Sequence, residues 1–145
     1  MKLLGSIIFA LIFTGCASTH SVSFSPSQEY VVAIQSTWFD AVRTDNNDTT
    51  LFREGKAIGF IRIEPIPSDF DSPKDFLETL RSASESETVK TRTLNVSKGF
   101  SGFSAKNQNH LTGYLATDNK TDKILVISFP EGKFSEIAET VSSSI

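Results

Sequence analysis

The single cysteine of this chain, Cys16, is the residue best suited to covalent chemistry. Because no second cysteine is present, an intramolecular disulfide and a site of several thiolates on one metal ion are both excluded. The chemistry that remains open to Cys16 is covalent modification of its sulfur atom. The residues that precede Cys16 indicate what that modification is, because they form a short and mostly apolar segment.

Residues 1–15 have the pattern of a secretory signal. Lys2 supplies a positive charge, an apolar run covers residues 3–13, and residues 14 and 15 end it. A helix that crosses a membrane needs roughly 20 apolar residues, so this run is too short to be one. The pattern predicts a signal peptide that is removed from the mature chain.

Residues 13–16, Phe-Thr-Gly-Cys, resemble the lipobox of bacterial lipoproteins. Phe13 departs from the leucine that is usual in that family but is also bulky and apolar, and Gly15 is the small residue wanted before the cut. The resemblance implies that Cys16 carries a diacylglycerol on sulfur and an acyl chain on its amine, and two or more chains anchor a protein stably. With Ala17 next, it also implies the outer membrane and a periplasm-facing domain. The alternative is an ordinary secretory signal followed by a chance cysteine.

After residue 15, about 130 residues remain, which suits one domain. Residues 16–29 are rich in serine and predict a tether, although Val22 and Phe24 alternate with serines as a strand would. Residues 30–145 are predicted to form one domain. Without Lys2 the chain has 13 basic and 17 acidic residues and a net charge of −4, which does not favour binding to nucleic acid.

Alternation of apolar and polar residues predicts strands along most of the domain. Gly59 marks a predicted bulge, because the alternation changes phase there. Residues 123–129 are the most apolar segment and predict a central strand covered on both faces. The predicted strands are residues 30–34, 38–42, 49–53, 57–66, 88–96, 100–105, 111–117 and 123–129.

Two helices are predicted. The first begins after Ser72, a good N-cap, with Pro73 at the first helical position and Asp75 in the first turn. Together with the strands, the two helices predict an α+β domain. In it, a mainly antiparallel sheet has the two helices packed on it, arranged as an α/β/α sandwich. The apolar stripe of the first helix comprises Phe76, Leu77, Leu80 and Ala83, and that of the second comprises Phe134, Ile137, Ala138, Val141 and Ile145.

This order of elements resembles the PsbP-like superfamily, which includes the DcrB-like bacterial lipoproteins. The resemblance is carried by the aromatic pair Trp38 and Phe39, by the helix start at residues 72–77, and by the apolar ending at residues 124–129 and 134–145. It implies an α/β/α sandwich and an accessory or assembly role rather than shared catalysis, although a shared fold does not transfer function.

No pattern in the chain predicts a catalytic site, a cofactor or a metal site. His20 and His110 are the only histidines, which is too few to argue a metal site without cysteines. Residues 45–48 offer oxygen ligands without the spacing of a calcium loop. Trp38 and Tyr114 are the candidate contacts for a partner, because aromatic residues often anchor interfaces; the alternative for Trp38 is a place in the core.

Three functions are compatible with these observations. The first is a lipid-anchored, non-catalytic accessory protein of the bacterial cell envelope, held in the membrane through Cys16 and bound to an envelope protein. The second is a periplasmic domain that binds a small molecule or acts as an enzyme through a cleft between loops. The third is a surface-exposed lipoprotein with a role in exclusion or host contact.

Overall fold

The computed structural model describes residues 21–27, 29–94, 96, 99–117 and 121–142. The predicted signal peptide, Cys16 and His20 lie outside the described residues. Within them the chain forms two antiparallel sheets, two α-helices and a short 3-10 turn. The elements are β1 (Ser21–Phe24), β2 (Val32–Gln35), the 3-10 turn (Ser36–Trp38), β3 (Ala41–Asp45), β4 (Asp48–Arg53), β5 (Lys56–Pro65), α1 (Pro73–Ser84), β6 (Lys90–Thr93), β7 (Phe100–Asn107), β8 (His110–Thr117), β9 (Lys123–Pro130) and α2 (Glu131–Ala138).

The larger sheet has seven strands in the order β3-β4-β5-β9-β8-β7-β6, and every neighbouring pair in it is antiparallel. The smaller sheet pairs β1 with β2. The predicted α+β class, with a mainly antiparallel sheet and two helices, is therefore confirmed. β9 lies at the centre of the sheet, and its residues 124–129 are all buried, as their apolar character predicted.

Apolar side chains form two clusters that meet at β9. Leu125, Ile127 and Phe129 join the cluster that contains α2 and β2, whereas Ile124 and Val126 join the one that contains α1. Because successive side chains of a strand point to opposite faces, the two clusters lie on opposite faces of the sheet. α1 packs mainly over β6, β7 and β8 on its face of the sheet.

The bulge predicted at Gly59 is present. Leu51 pairs with Gly59 while Phe52 pairs with Ala57, so the register of β4 and β5 shifts by one residue there. A Cβ atom on Gly59 would lie 2.1 Å from the Phe129 ring and 2.6 Å from the Ser128 carbonyl oxygen. Glycine is needed at this position because the neighbouring strand approaches too closely for any side chain.

The first helix begins as predicted. The Ser72 hydroxyl oxygen accepts a hydrogen bond from the Asp75 backbone N–H at 3.2 Å, and Pro73 occupies the first helical position. This satisfies one of the backbone donors that a helix start leaves free. Phe76 and Leu77 are buried as predicted, but Ala83 is exposed.

Three predicted elements have bounds that differ from the structure by more than two residues. Trp38, predicted to begin the strand over residues 38–42, instead ends a 3-10 turn that directs it into the core, and the strand that follows is β3 (Ala41–Asp45). The strand predicted over residues 88–96 is confined to β6. The second helix ends at Ala138. Beyond it, the Thr140 hydroxyl lies 2.7 Å from the Ile137 carbonyl oxygen and 2.8 Å from the Ala33 carbonyl oxygen, and Ser142 pairs with Val31 beside β2. Ile145 lies outside the described residues.

Candidate functional site

Trp38, one of the two aromatic residues predicted to contact a partner, is buried in the α2-side cluster with 8 % of its surface exposed. Its ring packs edge-on against Phe129 with the ring centroids 5.7 Å apart, and the Lys133 ammonium lies 5.9 Å from the indole centroid. The indole N–H has no hydrogen-bond partner among the described residues. The structure therefore places Trp38 in the core, which is the alternative left open by the sequence.

Tyr114, the other candidate, is half-buried beneath α1 and stacks on Phe103 with a centroid separation of 4.8 Å. Burial raises the pKa of its hydroxyl, the negative charge of Glu64 raises it further, and a hydrogen bond with Ser84 lowers it. Trp38 and Tyr114 belong to opposite clusters. The two aromatic residues are not brought together into one recognition surface.

The polar segments singled out in the sequence act as turns. Residues 45–48 close the β3–β4 hairpin, where Asn46 adopts a left-handed backbone conformation and Asp48 forms an ion pair with Arg62 at 2.5 Å. His110 is exposed at the start of β8. In the described part of the chain, no three histidine, cysteine or acidic side chains are placed to hold a metal ion.

The structure has a concave surface between edge strand β6 and helix α2, with a volume of about 310 Å³. We call it the basic groove, because three cationic side chains line it together with a single carboxylate. It lies at the border between the free edge of the sheet and the α2-side cluster. Its lining comprises Lys90, Arg92, Thr93, Leu94, Ser104, Lys106, Leu111, Glu131, Phe134 and Ser135.

Strand register brings the three cations together. Lys90 and Arg92 are two residues apart in β6, so their side chains share a face of the sheet. Lys106 of β7 pairs directly with Lys90, and Ser104 pairs with Arg92. Like charges directly opposite each other in a sheet repel, so the pairing of Lys90 with Lys106 favours anionic groups beside them.

Only one of the three cations is neutralised within the described residues. The Lys106 ammonium lies 2.6 Å from a carboxylate oxygen of Glu131, at the start of α2. Lys90 and Arg92 form no ion pair with another described residue. The groove therefore carries an excess of about two positive charges at neutral pH, on a chain whose net charge is −3.

The floor of the groove is apolar and depends on a glycine. Leu94, Leu111 and the buried ring of Phe134 form it. A Cβ atom on Gly113 would lie 2.8 Å from the Phe134 ring and 3.1 Å from Leu94, so glycine leaves the space that these side chains fill. Apolar walls reduce the local dielectric constant and strengthen the attraction of the cations for an anion.

A second concave surface, of about 280 Å³, lies on the other face between α1 and β7. Arg81 crosses its edge and donates hydrogen bonds to the hydroxyl oxygens of Thr91 at 3.1 Å and Thr93 at 3.3 Å. Because these bonds attach the last turn of α1 to edge strand β6, Arg81 has a structural role. Its guanidinium is therefore less available to a ligand than the side chains of Lys90 and Arg92.

Sequence reasoning did not find the basic groove. The alternation of Lys90 and Arg92 in a predicted strand was a visible signal, but it is typical of any solvated strand face. Lys106 is fourteen residues further along the chain than Arg92, and only the pairing of β6 with β7 brings it to the same place.

Comparison of the sequence with protein-family models gives no match, and comparison with curated proteins gives none either. The resemblances to bacterial lipoproteins and to the PsbP-like superfamily therefore stay predictions. In the ranges that the structure describes, no helix is both long enough and apolar enough to cross a membrane.

Proposed function

We propose that this chain is a lipid-anchored, non-catalytic accessory protein of the bacterial cell envelope, which binds an anionic group of another envelope component in the basic groove. The observation that carries the binding site is the convergence of Lys90, Arg92 and Lys106 around an apolar floor. The anchor rests on the lipobox-like residues that end at Cys16. The proposed location is the outer membrane, with the domain facing the periplasm.

The chemistry of the groove suits binding. Lysine and arginine keep their charge across the neutral range, so they attract an anion without any transfer of a proton. The Arg92 guanidinium can donate two parallel hydrogen bonds to a carboxylate or phosphate. The hydroxyl group of Ser104, which pairs with Arg92, adds a donor beside the cations.

We further propose that the domain is an α/β/α sandwich of the PsbP-like kind. Two features support this arrangement: α1 and α2 pack in separate apolar clusters, and the central strand β9 contributes to both. The accessory role implied by that superfamily comes only from the resemblance.

Replacing Cys16 with alanine tests the anchor. We expect the Cys16→Ala protein to leave the membrane fraction and to lose metabolic labelling with a fatty acid, because the acylated thiol and amine supply the membrane affinity. Cell fractionation and lipid labelling measure both effects. A variant that stays membrane-bound and lipid-labelled would show that Cys16 is not the site of attachment.

Crosslinking tests the binding site. A photoreactive residue in place of Ser135 should capture an anionic envelope component from intact cells, and Lys90→Gln, Arg92→Gln and Lys106→Gln together should abolish the capture. A variant with Lys56→Gln, Lys74→Gln and Lys123→Gln is the matched control, since it also removes three cations, all exposed or partly exposed and outside the groove. Equal capture by the groove variant and the control would contradict the proposed site.

A small-molecule carrier is the second candidate. The cleft between α1 and β7 favours it, because Leu77, Leu94 and Phe103 give that cleft an apolar lining. Its volume of about 280 Å³ is just below the range of roughly 300–1,000 Å³ that is usual for ligand pockets. Release of a specific apolar compound on denaturation of the purified protein would favour this function over the first.

A further inference from the structure

The folded part of the chain begins very close to the proposed anchor. β1 starts at Ser21, so only four residues separate it from Cys16. An extended chain spans at most about 3.3–3.6 Å per residue. If Cys16 is lipidated, as the proposed function holds, Ser21 stays within about 18 Å of the membrane surface.

Strand pairing shows which end of the sheet lies beside Ser21. Ser21 pairs with Gln35, the last residue of β2 before the turn that carries Trp38. Trp38 packs on Phe129, near the end of β9. Phe129 pairs with Leu111, Leu111 pairs with Lys106, and Lys106 pairs with Lys90, so these residues lie at the same height in the sheet. The start of β1 and the part of the basic groove that contains Lys90 and Lys106 are therefore at the same end of the sheet, which we call the tether-side end.

The two ends of the sheet differ in charge. The tether-side end comprises the β4–β5 turn, the start of edge strand β6, the end of β7 and the start of α2, and its described residues carry equal numbers of cations and acidic side chains. The opposite end, with the β3–β4 turn, the loop after β5 and the starts of α1 and β9, is mainly acidic. The tether-side end has Arg53, Lys56, Lys90, Lys106 and Lys133 against Asp40, Glu54, Glu85, Glu87 and Glu131, and the opposite end has Arg62, Lys74 and Lys123 against Asp45, Asp48, Glu64, Asp69, Asp71, Asp75 and Asp122.

We propose that the anion bound in the basic groove is the phosphate headgroup of an anionic phospholipid in the membrane that holds the anchor. Lys90 and Arg92 would donate to the phosphate oxygens, and the partly exposed Leu94 and Leu111 would contact the glycerol and the first methylene groups. The short tether holds the tether-side end, which contains Lys90 and Lys106, near the membrane surface, and the acidic far end is directed away from the anionic surface. This inference rests on the proposed function, since it requires the lipid on Cys16.

The experiment uses the lipidated protein with Ser135→Cys, labelled with an environment-sensitive fluorophore. The label reacts only there, because the Cys16 sulfur is blocked by its lipid and no other cysteine is present. The protein is placed in vesicles of phosphatidylcholine alone or mixed with phosphatidylglycerol. A label at Ser68→Cys, on the exposed loop at the acidic end, is the matched control.

We expect a fluorescence shift from the Ser135 label, and none from the Ser68 label, when phosphatidylglycerol is present. Removing one cation with Arg92→Gln should raise the phosphatidylglycerol fraction needed for a half-maximal shift by roughly fivefold, the effect of one cation near an anionic surface. The variant without Lys90, Arg92 and Lys106 should show no shift. High salt should weaken the shift, because these side chains are solvent-accessible.

Inorganic phosphate added to the protein in phosphatidylcholine vesicles separates the two proposals. A shift with phosphatidylglycerol and none with phosphate supports a lipid ligand. An equal shift with free phosphate overturns the lipid ligand and leaves the groove as an anion site, so the proposed function stands. No shift with either overturns both, and equal shifts from the Ser135 and Ser68 labels overturn the placement of the groove at the membrane.

Discussion

Tyr30 shows how one buried hydroxyl ties the early part of the chain to the sheet. The side chain is fully buried, and its hydroxyl donates a hydrogen bond to the Lys123 carbonyl oxygen at 3.0 Å. Burial raises the pKa of Tyr30 to about 12, because the phenolate would lose its hydration; a hydrogen bond with the Thr117 backbone offsets part of this, and Glu29 adds to the increase. The neutral form is therefore stabilised in the folded protein.

The stability of the fold should decrease at alkaline pH because of this residue. Between pH 10 and about 12, the unfolded chain releases the Tyr30 proton while the folded protein retains it. The unfolded state then binds fewer protons, so the free energy of unfolding falls as the pH rises. The total loss from Tyr30 is roughly 2–3 kcal/mol, and denaturant unfolding at several pH values measures it.

Tyr30→Phe is the control for that loss. The variant should be less stable at neutral pH by about 1 kcal/mol, since the Lys123 carbonyl loses its partner, but it should lose less stability above pH 10. Tyr114, the other tyrosine, also has a raised pKa. A tyrosinate absorbance change centred at pH 10 in the folded protein would contradict burial of the two hydroxyl groups.

At the scale of single residues, the sequence predicts structural features that depend only on residues nearby in the chain. The cap at Ser72 and the bulge at Gly59 are local patterns, and both are present. The environment of Trp38 could not be predicted in this way. Whether an aromatic ring is buried depends on Phe129 and Lys133, which lie more than ninety residues away in the chain.

At the scale of elements, the pairing of β5 with β9 depends on the absence of a side chain at Gly59. Alanine there would place its methyl group against the Phe129 ring and the Ser128 backbone. We expect Gly59→Ala to reduce the free energy of unfolding by roughly 3 kcal/mol, because overpacking of a core costs about 1–3 kcal/mol and the clash includes backbone atoms. Urea denaturation of the two proteins measures the difference.

Gly132→Ala is the matched change. A Cβ atom on Gly132 has no neighbour within 4 Å, and the residue lies in the first turn of α2. Alanine favours a helix over glycine by up to about 1 kcal/mol, so this variant should be as stable as the original protein or slightly more stable. If the two substitutions changed the free energy of unfolding equally, the close approach of β9 to Gly59 would be contradicted.

The helices show why some element boundaries follow from sequence and others do not. α1 begins with a side-chain cap that its own residues provide. α2 has no side-chain cap, and it ends where the Thr140 hydroxyl bonds to the backbone of Ala33. The spacing of apolar residues predicts a helix that continues to Ile145. This spacing contains no information about Ala33, which lies more than a hundred residues away in the chain.

At the scale of the whole molecule, the seven-stranded sheet is covered unevenly. α1 packs over β6, β7 and β8, and α2 packs over β8, β9 and β2. The β3–β5 half of the α1-side face instead carries Arg43 over the Phe52 ring at 5.4 Å and Arg62 over the Phe60 ring at 5.1 Å. These cation–π contacts shield partly exposed rings without a helix.

The candidate site also depends on the arrangement of the whole molecule. Antiparallel pairing of β6 and β7 converts two separate stretches of sequence into one cationic surface, and the packing of α2 adds Glu131 and the Phe134 ring. The class of the fold could be predicted from local patterns of polarity. The site could not, because it depends on strand order and register, which many sequences with the same pattern do not share.

The short linker between Cys16 and β1 should determine how readily the basic groove binds lipid in the membrane. Inserting about twenty glycine and serine residues after Ala17 lengthens the four-residue linker to β1 about sixfold. Effective concentration falls roughly as the −3/2 power of linker length. The phosphatidylglycerol fraction needed for a half-maximal shift of the Ser135 label should therefore rise by roughly fifteenfold, while the proposed membrane attachment through Cys16 should stay unchanged. The same insertion in the variant without the three groove cations is the control and should change nothing. If the insertion leaves the response of the original groove unaltered, the short tether does not hold the groove at the membrane.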